Sequence, residues 1–318
     1  RWCSSNSNRG ESKEEDFMIK AYNKIYGSIL GELKKEYMWK FKEDLAHRIK
    51  GETFKASLKD IVFNNEYDAL VLMDLLHPLY TKYWNVSSTD WLQYIYDWTL
   101  GLSYPERVTR YFNEELHPLV LFYLNVLRIF SKGEITYDEN SFLNKYPISI
   151  LTAEEEQKAK LLPEYLKFKD GFLNKWIYEL MKMDLYLTGH NTLEHVVGVN
   201  YLSLYIGRQL NKMDLPIDLS IVVGAGLGHD IGKYGVSQDE IHRVPYLHYY
   251  YTEQWFNQLG IEKIGHIATN HSTWDLELEN LPLESLVLIY ADFRVKNKRI
   301  DKEYKMHIYS LEEAYDVI

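Results

Sequence analysis

Gly228-His229-Asp230-Ile231-Gly232-Lys233 sets an imidazole beside a carboxylate at the end of an apolar run. Burying a carboxylate is costly unless a partner or a metal uses its charge. Ile221, Val222, Val223, Ala225 and Leu227 nevertheless lead out of a core to this pair. Four further candidates sit on separate helical segments. His195 shares a face with Val199, Leu202 and Ile206, and His248 opens an amphipathic stretch with Tyr251, Trp255 and Leu259. His271 follows the run Ile264 to Ala268, and Asp292 closes Leu286-Val287-Leu288-Ile289-Tyr290. Imidazole and carboxylate together suit iron, manganese or zinc. A lone histidine on an apolar face is ordinarily a satisfied core or surface residue, and His47, His77, His117, His266 and His307 are read that way. The other set escapes that default because several independent positions agree.

Two histidines compete with members of the set. His190 precedes His195, but His190-Asn191-Thr192-Leu193-Glu194-His195 is neither H-E-x-x-H nor its inverted form, so a zinc-protease reading is poor. His242 precedes Pro245 and is expected in a loop at the mouth of the site. Glycines 224, 226 and 228 would let neighbouring helices approach, and Gly232 is read as freeing the backbone just after the pair. A dinucleotide-binding turn needs a third glycine where His229 stands, and no βαβ alternation surrounds it. No G-x-S-x-G and no P-loop sequence occurs.

The elements that must carry these residues read as helices. Met18, Tyr22, Ile25 and Ile29 share one face, and helical spacing recurs around 41–50, 67–76, 89–100 and 116–130. The second half repeats it at 193–210, 218–228, 245–259, 261–270 and 282–293, with Pro282 suited to a first turn. Thr152 and Glu155 form a capping-box pair. Strand-like alternation is scarce. The expected fold is all-α, in three stretches: a flexible tail over 1–15, an N-terminal helical region over 16–150, and a helical domain over 151–318 with its core at about 187–299. The polar stretch 131–146 reads as a linker or irregular surface segment. Trp39, Trp84, Trp91 and Trp98 are expected in a core, and most of the 27 tyrosines are expected to pack with the hydroxyl at the surface.

A net charge of −10 argues against broad nucleic-acid binding, which needs a basic face. A local cationic pocket for a small anion remains compatible with it. The single cysteine, Cys3, can form neither an internal disulfide nor a cysteine-based zinc site, which fits a reducing, cytoplasmic location. No apolar run is long enough to span a membrane. The chain starts at Arg1 and stops inside the helical-looking stretch 311–318, so further domains of a longer polypeptide are expected.

The order His … His-Asp … His … His … Asp, each on its own helix, resembles the HD superfamily. So do the local settings: EHVVGV at 194–199, GLGHDIGK at 226–233, PYLHYYYTEQWFNQLGI at 245–261, IATNHSTWD at 267–275 and LIYADFR at 288–294. Within that superfamily the pattern is most similar to the bacterial HD-type symmetrical diadenosine-tetraphosphate hydrolases, although the segment FRVKNKR after the last aspartate differs from theirs. The resemblance covers roughly 187–299. It implies an HD helical bundle, and it implies that His195, His229, Asp230 and Asp292 hold one divalent ion. Asp230 would bridge to a second ion held by His248 and His271. A pair of iron, manganese or zinc ions about 3.5–4 Å apart can clamp a phosphoryl group and activate hydroxide. The reaction it implies is hydrolysis of a phosphoester or phosphoanhydride of a nucleotide or related small molecule. Asp230 and Lys233 are the expected catalytic residues, and Lys233, Arg243 and Arg294 the expected phosphate contacts. Lys296, Lys298 and Arg299 add to a cationic approach. Two other readings stay open: a di-iron HD oxygenase, and a nucleotide-binding regulatory module.

Overall fold

A computed structural model describes residues 7–65, 67–132, 141–271, 281–300 and 302–317. Among them the fold is all-α apart from one hairpin. In chain order the helices are α1 (Ser7–Glu32), α2 (Lys42–Ile49), α3 (Glu52–Asn64), α4 (Ala69–Tyr80), α5 (Ser88–Gly101), α6 (His117–Ser131), α7 (Phe142–Lys145), α8 (Ala153–Lys158) and α9 (Leu162–Asn174). They continue as α10 (Ile177–Leu187), α11 (Thr192–Lys212), α12 (Leu219–Gly228), α13 (Val244–Gln258), α14 (Lys263–Thr269) and α15 (Leu283–Arg294). Strands β1 (Val295–Ile300) and β2 (Glu303–Ile308) then pair antiparallel, with Val295 opposite Ile308, before α16 (Leu311–Val317). No helix among the described residues is long and apolar enough to cross a membrane.

Several expectations shift. Helix α1 starts at Ser7, inside the stretch 1–15 read as a tail, so of that stretch only residues 1–6 lie outside the described residues. Residues 133–140 of the expected linker and 272–275 of the IATNHSTWD segment also lie outside them. The chain forms two compact units that do not follow a single break near residue 150. The first takes Arg1–Trp98, Arg110–Glu139 and Lys182–Thr188; the second takes Thr99–Thr109, Asn140–Met181 and Gly189–Ile318.

In the first unit α1 packs on α3 and α6, and α4 packs on α6. Ile25 and Ile29 are fully buried, as their shared face predicts. Trp91 is core and makes edge contacts with Tyr80 and Trp84, whereas Trp39 is 77% exposed, contrary to expectation. The tyrosines are not all tipped toward water. Tyr80 and Tyr123 are fully buried, and their hydroxyls donate to the carbonyls of Leu119 (2.7 Å) and Ala69 (2.6 Å). A buried hydroxyl needs such a partner.

The second unit holds the candidate site. Helix α11 packs on α12 and α15; α12 also packs on α9 and α14. Helix α13 lies along the 3-10 turn Ile231–Gly235 that follows the His-Asp pair. The capping box at Thr152 and Glu155 forms with both its hydrogen bonds, at 2.9 and 3.2 Å, yet the helix it starts is only α8. The hairpin is the element that periodicity does not show. Its strands carry Lys296, Lys298, Arg299 and Lys305, so they read as a charge run. Only Val295 and Met306 turn fully inward, and main-chain pairing holds the rest.

Candidate metal centre

Five helices deliver six side chains to one buried point. His195 stands on the first turn of α11 and His229 caps the end of α12, with Asp230 immediately after it. His248 lies on α13, His271 just past α14, and Asp292 on the last turn of α15. All six are buried, with none more than 8% exposed. The Nε2 atom of His195 lies 2.9 Å from Oδ1 of Asp292, 3.3 Å from Nε2 of His229 and 3.4 Å from Oδ2 of Asp230. His248 Nε2 lies 3.7 Å from the other Asp230 oxygen, Oδ1. Donor atoms of His195, His229 and Asp292 fall within 4.8 Å of one another, and so do those of His229, Asp230 and His271. His229 is common to both triads. The resemblance implies the shared place for Asp230, whose Oδ2 faces His195 and Oδ1 faces His248.

The four imidazoles are held alike. Each places Nδ1 on a backbone carbonyl: His195 on Val295 (2.9 Å), His229 on Gly226 (2.9 Å), His248 on Val244 (2.7 Å) and His271 on Ala268 (2.6 Å). A carbonyl only accepts, so Nδ1 carries a proton and Nε2 is the ring atom turned into the cluster. Outer hydrogen bonds of this kind fix tautomer and ring orientation in metal-binding histidines. Burial, the largest influence, pushes His229 from 6.5 down to about 3. It lowers His248 and His271 as well, against the pull of Asp230. Burial alone would raise Asp230, but the Lys233 ammonium and the surrounding imidazoles hold its carboxyl well below the usual range. Asp292 is likewise held low, burial being outweighed by its hydrogen bond to His195, the neighbouring imidazoles and Lys296. The lowered His229, His248 and His271 favour neutral rings beside ionised carboxylates, the protonation states that ligate a cation, so the cluster is compatible with a divalent ion.

These shifts have one sign. An unfolded histidine protonates near 6.5 whereas His229 resists to about 3, so between those limits the unfolded chain binds more protons and acid favours it. The lowered carboxylates add the same trend further down. Metal-free protein is expected to keep its full stability above about pH 6.5 and to lose several kcal/mol as pH falls toward about 3. Urea unfolding after chelator treatment, followed from about pH 7.5 to about pH 4.5, measures it. A level midpoint across that range would contradict the buried neutral histidines.

Packing around the pair is tight. A Cβ on Gly232 would run into the backbone carbonyl oxygen of His248 and the backbone nitrogen of Thr252. The residue's φ is not positive, so this close approach requires the glycine, rather than the backbone freedom expected of it. Glycines 224, 226 and 228 act as anticipated: a Cβ at Gly226 would sit 3.2 Å from Cα of Asn200, and one at Gly228 would meet Phe256. Thr252, fully buried on α13, accepts from the Gly232 N–H and donates to the His229 carbonyl, both at 3.0 Å. The Tyr104 hydroxyl donates between the carbonyls of Tyr251 (3.1 Å) and Ile231 (3.3 Å). The Tyr249 ring packs on His248 and His271, with centroids 3.9 and 5.0 Å apart. Burial, Asp292 and Asp230 push its phenol up to about 12.

The sequence reading did not single out Thr252, Tyr104 or Tyr249. Tyr249 could have been found from its place beside His248; Tyr104 leaves no local signal.

The cations divide differently from expectation. Lys233 Nζ donates to Oδ2 of Asp230, and Lys296, four residues after Asp292, donates to its Oδ1 at 3.1 Å. Arg294 is engaged elsewhere: Nε bonds the Tyr309 carbonyl, Nη1 bonds the Tyr290 hydroxyl, and the guanidinium lies over the Tyr290 ring. Lys298 pairs with Glu313. Arg243 is exposed, His190 lies in the loop before α11, and His242 lies in the exposed 3-10 turn Gln238–Arg243.

The family model described as HD domain matches residues 192–293, from the start of α11 to the end of α15. All six clustered side chains fall inside the match. No curated protein and no solved structure gives a match to the chain.

Proposed function

We propose that the second unit is a metal-dependent phosphohydrolase acting on a phosphoester or phosphoanhydride of a nucleotide or a related phosphorylated small molecule. One observation carries this reading: four histidines present Nε2 around two ionised carboxylates, with an ammonium on each carboxylate. HD domains are commonly metal-dependent hydrolases, and the match over 192–293 supports that class. The pattern shared with diadenosine-tetraphosphate hydrolases favours a dinucleoside polyphosphate among the substrates.

The donor set fits one or two divalent ions of iron, manganese or zinc. His195, His229 and Asp292 would hold one. Asp230, with its oxygens facing opposite sides, would reach a second with His271 and His248. When bound, such an ion acts as a Lewis acid on phosphoryl oxygen and lowers the pKa of water. The protein's own contribution is positional. Carbonyl-anchored imidazoles need no reorientation when the cation arrives. The side chains of Lys233 and Lys296 are 34% and 47% exposed, so both can swing from their carboxylates to substrate phosphate. The phenol of Tyr249 keeps its proton and offers a donor at the wall. An anionic substrate suits two ammonium groups at the rim, which favours phosphoryl chemistry over oxygenation.

The test is a screen of nucleotides and dinucleoside polyphosphates on protein loaded in turn with manganese, ferrous iron and zinc. Product release by at least one metal form is expected, and Lys296→Met should raise KM about tenfold with kcat largely kept. Oxygen uptake without phosphate-ester cleavage would replace the hydrolase reading with an oxygenase. Tight nucleotide binding with no product would replace it with a regulatory one.

A further inference from the structure

The second unit carries a cavity of about 590 Å³, remote from the metal centre. It lies where α11 ends and α12 begins, while His195 and His229 stand at the opposite ends of those helices. At about 1.5 Å per residue, the length of α12 alone separates the two places by roughly 15 Å. Lys158 and Lys160 approach from the end of α8, and Arg208 and Lys212 from the last turns of α11. Ile217 and Leu219, both buried, lie on its apolar side with Pro216.

The two carboxylates in its lining are already committed. Glu155 holds Arg208 through hydrogen bonds of 2.6 and 2.9 Å. Asp218 Oδ2 accepts from the backbone N–H groups of Lys160 and Leu161, and its Oδ1 accepts from the N–H and hydroxyl of Ser220. Among the described residues, no carboxylate pairs with Lys158, Lys160 or Lys212. Four cationic residues against Glu155 and Asp218 leave two net positive charges in the lining, on a chain whose net charge is −10. Ligand cavities run from about 300 to 1,000 Å³, so this one admits a whole nucleotide. The acidic remainder of the protein disfavours a nucleic-acid polymer there.

We propose that this cavity is a second binding site, for a nucleoside polyphosphate, with phosphates on Lys158, Lys160 and Lys212 and the nucleoside against Pro216, Ile217 and Leu219. The inference is independent of the reaction at the metal centre.

Calorimetric titration of adenosine triphosphate into the full chain, with chelator and low salt, tests it. Three proteins are compared: wild type, the triple variant Lys158→Gln/Lys160→Gln/Lys212→Gln, and the metal-centre variant Lys233→Met/Lys296→Met. The triple variant should bind at least about tenfold more weakly while the metal-centre variant stays within about twofold of wild type. Single Lys160→Gln and Lys212→Gln changes, at exposed positions that leave folding intact, should each weaken binding about threefold. Inorganic triphosphate should bind more weakly than the nucleotide, because it gains nothing from the apolar side. No binding by wild type at about 1 mM nucleotide, unchanged affinity in the triple variant, or loss confined to the metal-centre variant would each overturn the site. Equal affinity for triphosphate and nucleotide would overturn its assignment to a nucleoside.

Discussion

Asp230→Ala is expected to cut kcat/KM for the phosphate ester by more than about 100-fold, the upper end of what is lost when only an outer-shell partner of a metal ligand is removed. Asp230 faces His195 and His229 through Oδ2 and His248 through Oδ1, and a ligand atom of His271 lies within 4.8 Å of its carboxylate. Deleting it breaks the proposed bridge and removes one of the two buried carboxylates of the cluster. The fold should survive. The partner left behind, Lys233, is 34% exposed and can turn to solvent, and what it loses is one ion pair rather than a packed apolar side chain. Circular dichroism and a melting curve close to wild type should accompany the lost turnover. Asp230→Asn keeps shape and removes charge, so it should lose activity to a similar extent. Activity within about twofold of wild type in either variant, with metal in excess, would contradict the proposed role.

The second large effect is expected at a residue with no chemistry. Gly232→Ala should destabilise the protein by about 3 kcal/mol, the upper end for overpacking, because the new methyl meets backbone that cannot rotate away. That corresponds to a melting temperature lower by roughly 10 °C for a unit of this size. The strain falls on α13, which must move away from the 3-10 turn. His248 would move with it, and so would the Thr252 hydroxyl that ties the Gly232 N–H to the His229 carbonyl. Metal affinity should therefore fall about tenfold or more alongside stability. Gly27→Ala supplies the control: a Cβ there meets nothing within 4 Å inside α1, so helix propensity alone should make it neutral or slightly stabilising. Equal melting temperatures for Gly232→Ala and wild type would show that α13 does not pack against the turn as described.

These two residues also show what the sequence does and does not disclose. The His-Asp pair was legible because an apolar helix ending in two ionisable groups has few physical reasons to exist. His195, His248, His271 and Asp292 were legible as polar residues on faces that had to be buried. The structure brings all six together. Gly232 reads in sequence as a free backbone position, because the spacing that forbids a Cβ depends on α13, a helix that follows only after a second turn. Tyr104 was invisible: more than a hundred residues separate it from the carbonyls it bonds, and nothing in LSYPERV marks a hydrogen bond to a distant turn. The hairpin was hidden because its main-chain pairing needs no apolar alternation. That is also why Arg294 was preferred to Lys296. On a continuing helix the two would look equivalent as charges near Asp292. With α15 ending and β1 beginning between them, one turns to Tyr309 and the other returns to Asp292.

Lys233 and Lys296 each set an ammonium against a buried carboxylate, which favours the ionised form of Asp230 and Asp292. The same pairs set an order of events. On the proposed reading, a bound divalent ion would displace the ammonium groups from the carboxylates and free them for phosphate, so metal and anionic substrate should bind with positive coupling.

Metal content per chain, measured on protein purified without chelator, is the most direct measurement, with wild type compared to His229→Ala. His229 belongs to both triads, so wild type should carry about one to two equivalents of iron, manganese or zinc and the variant less than about a tenth of that. Wild-type protein that hydrolyses phosphate esters while holding no divalent metal, or a variant that keeps its full complement, would contradict the account.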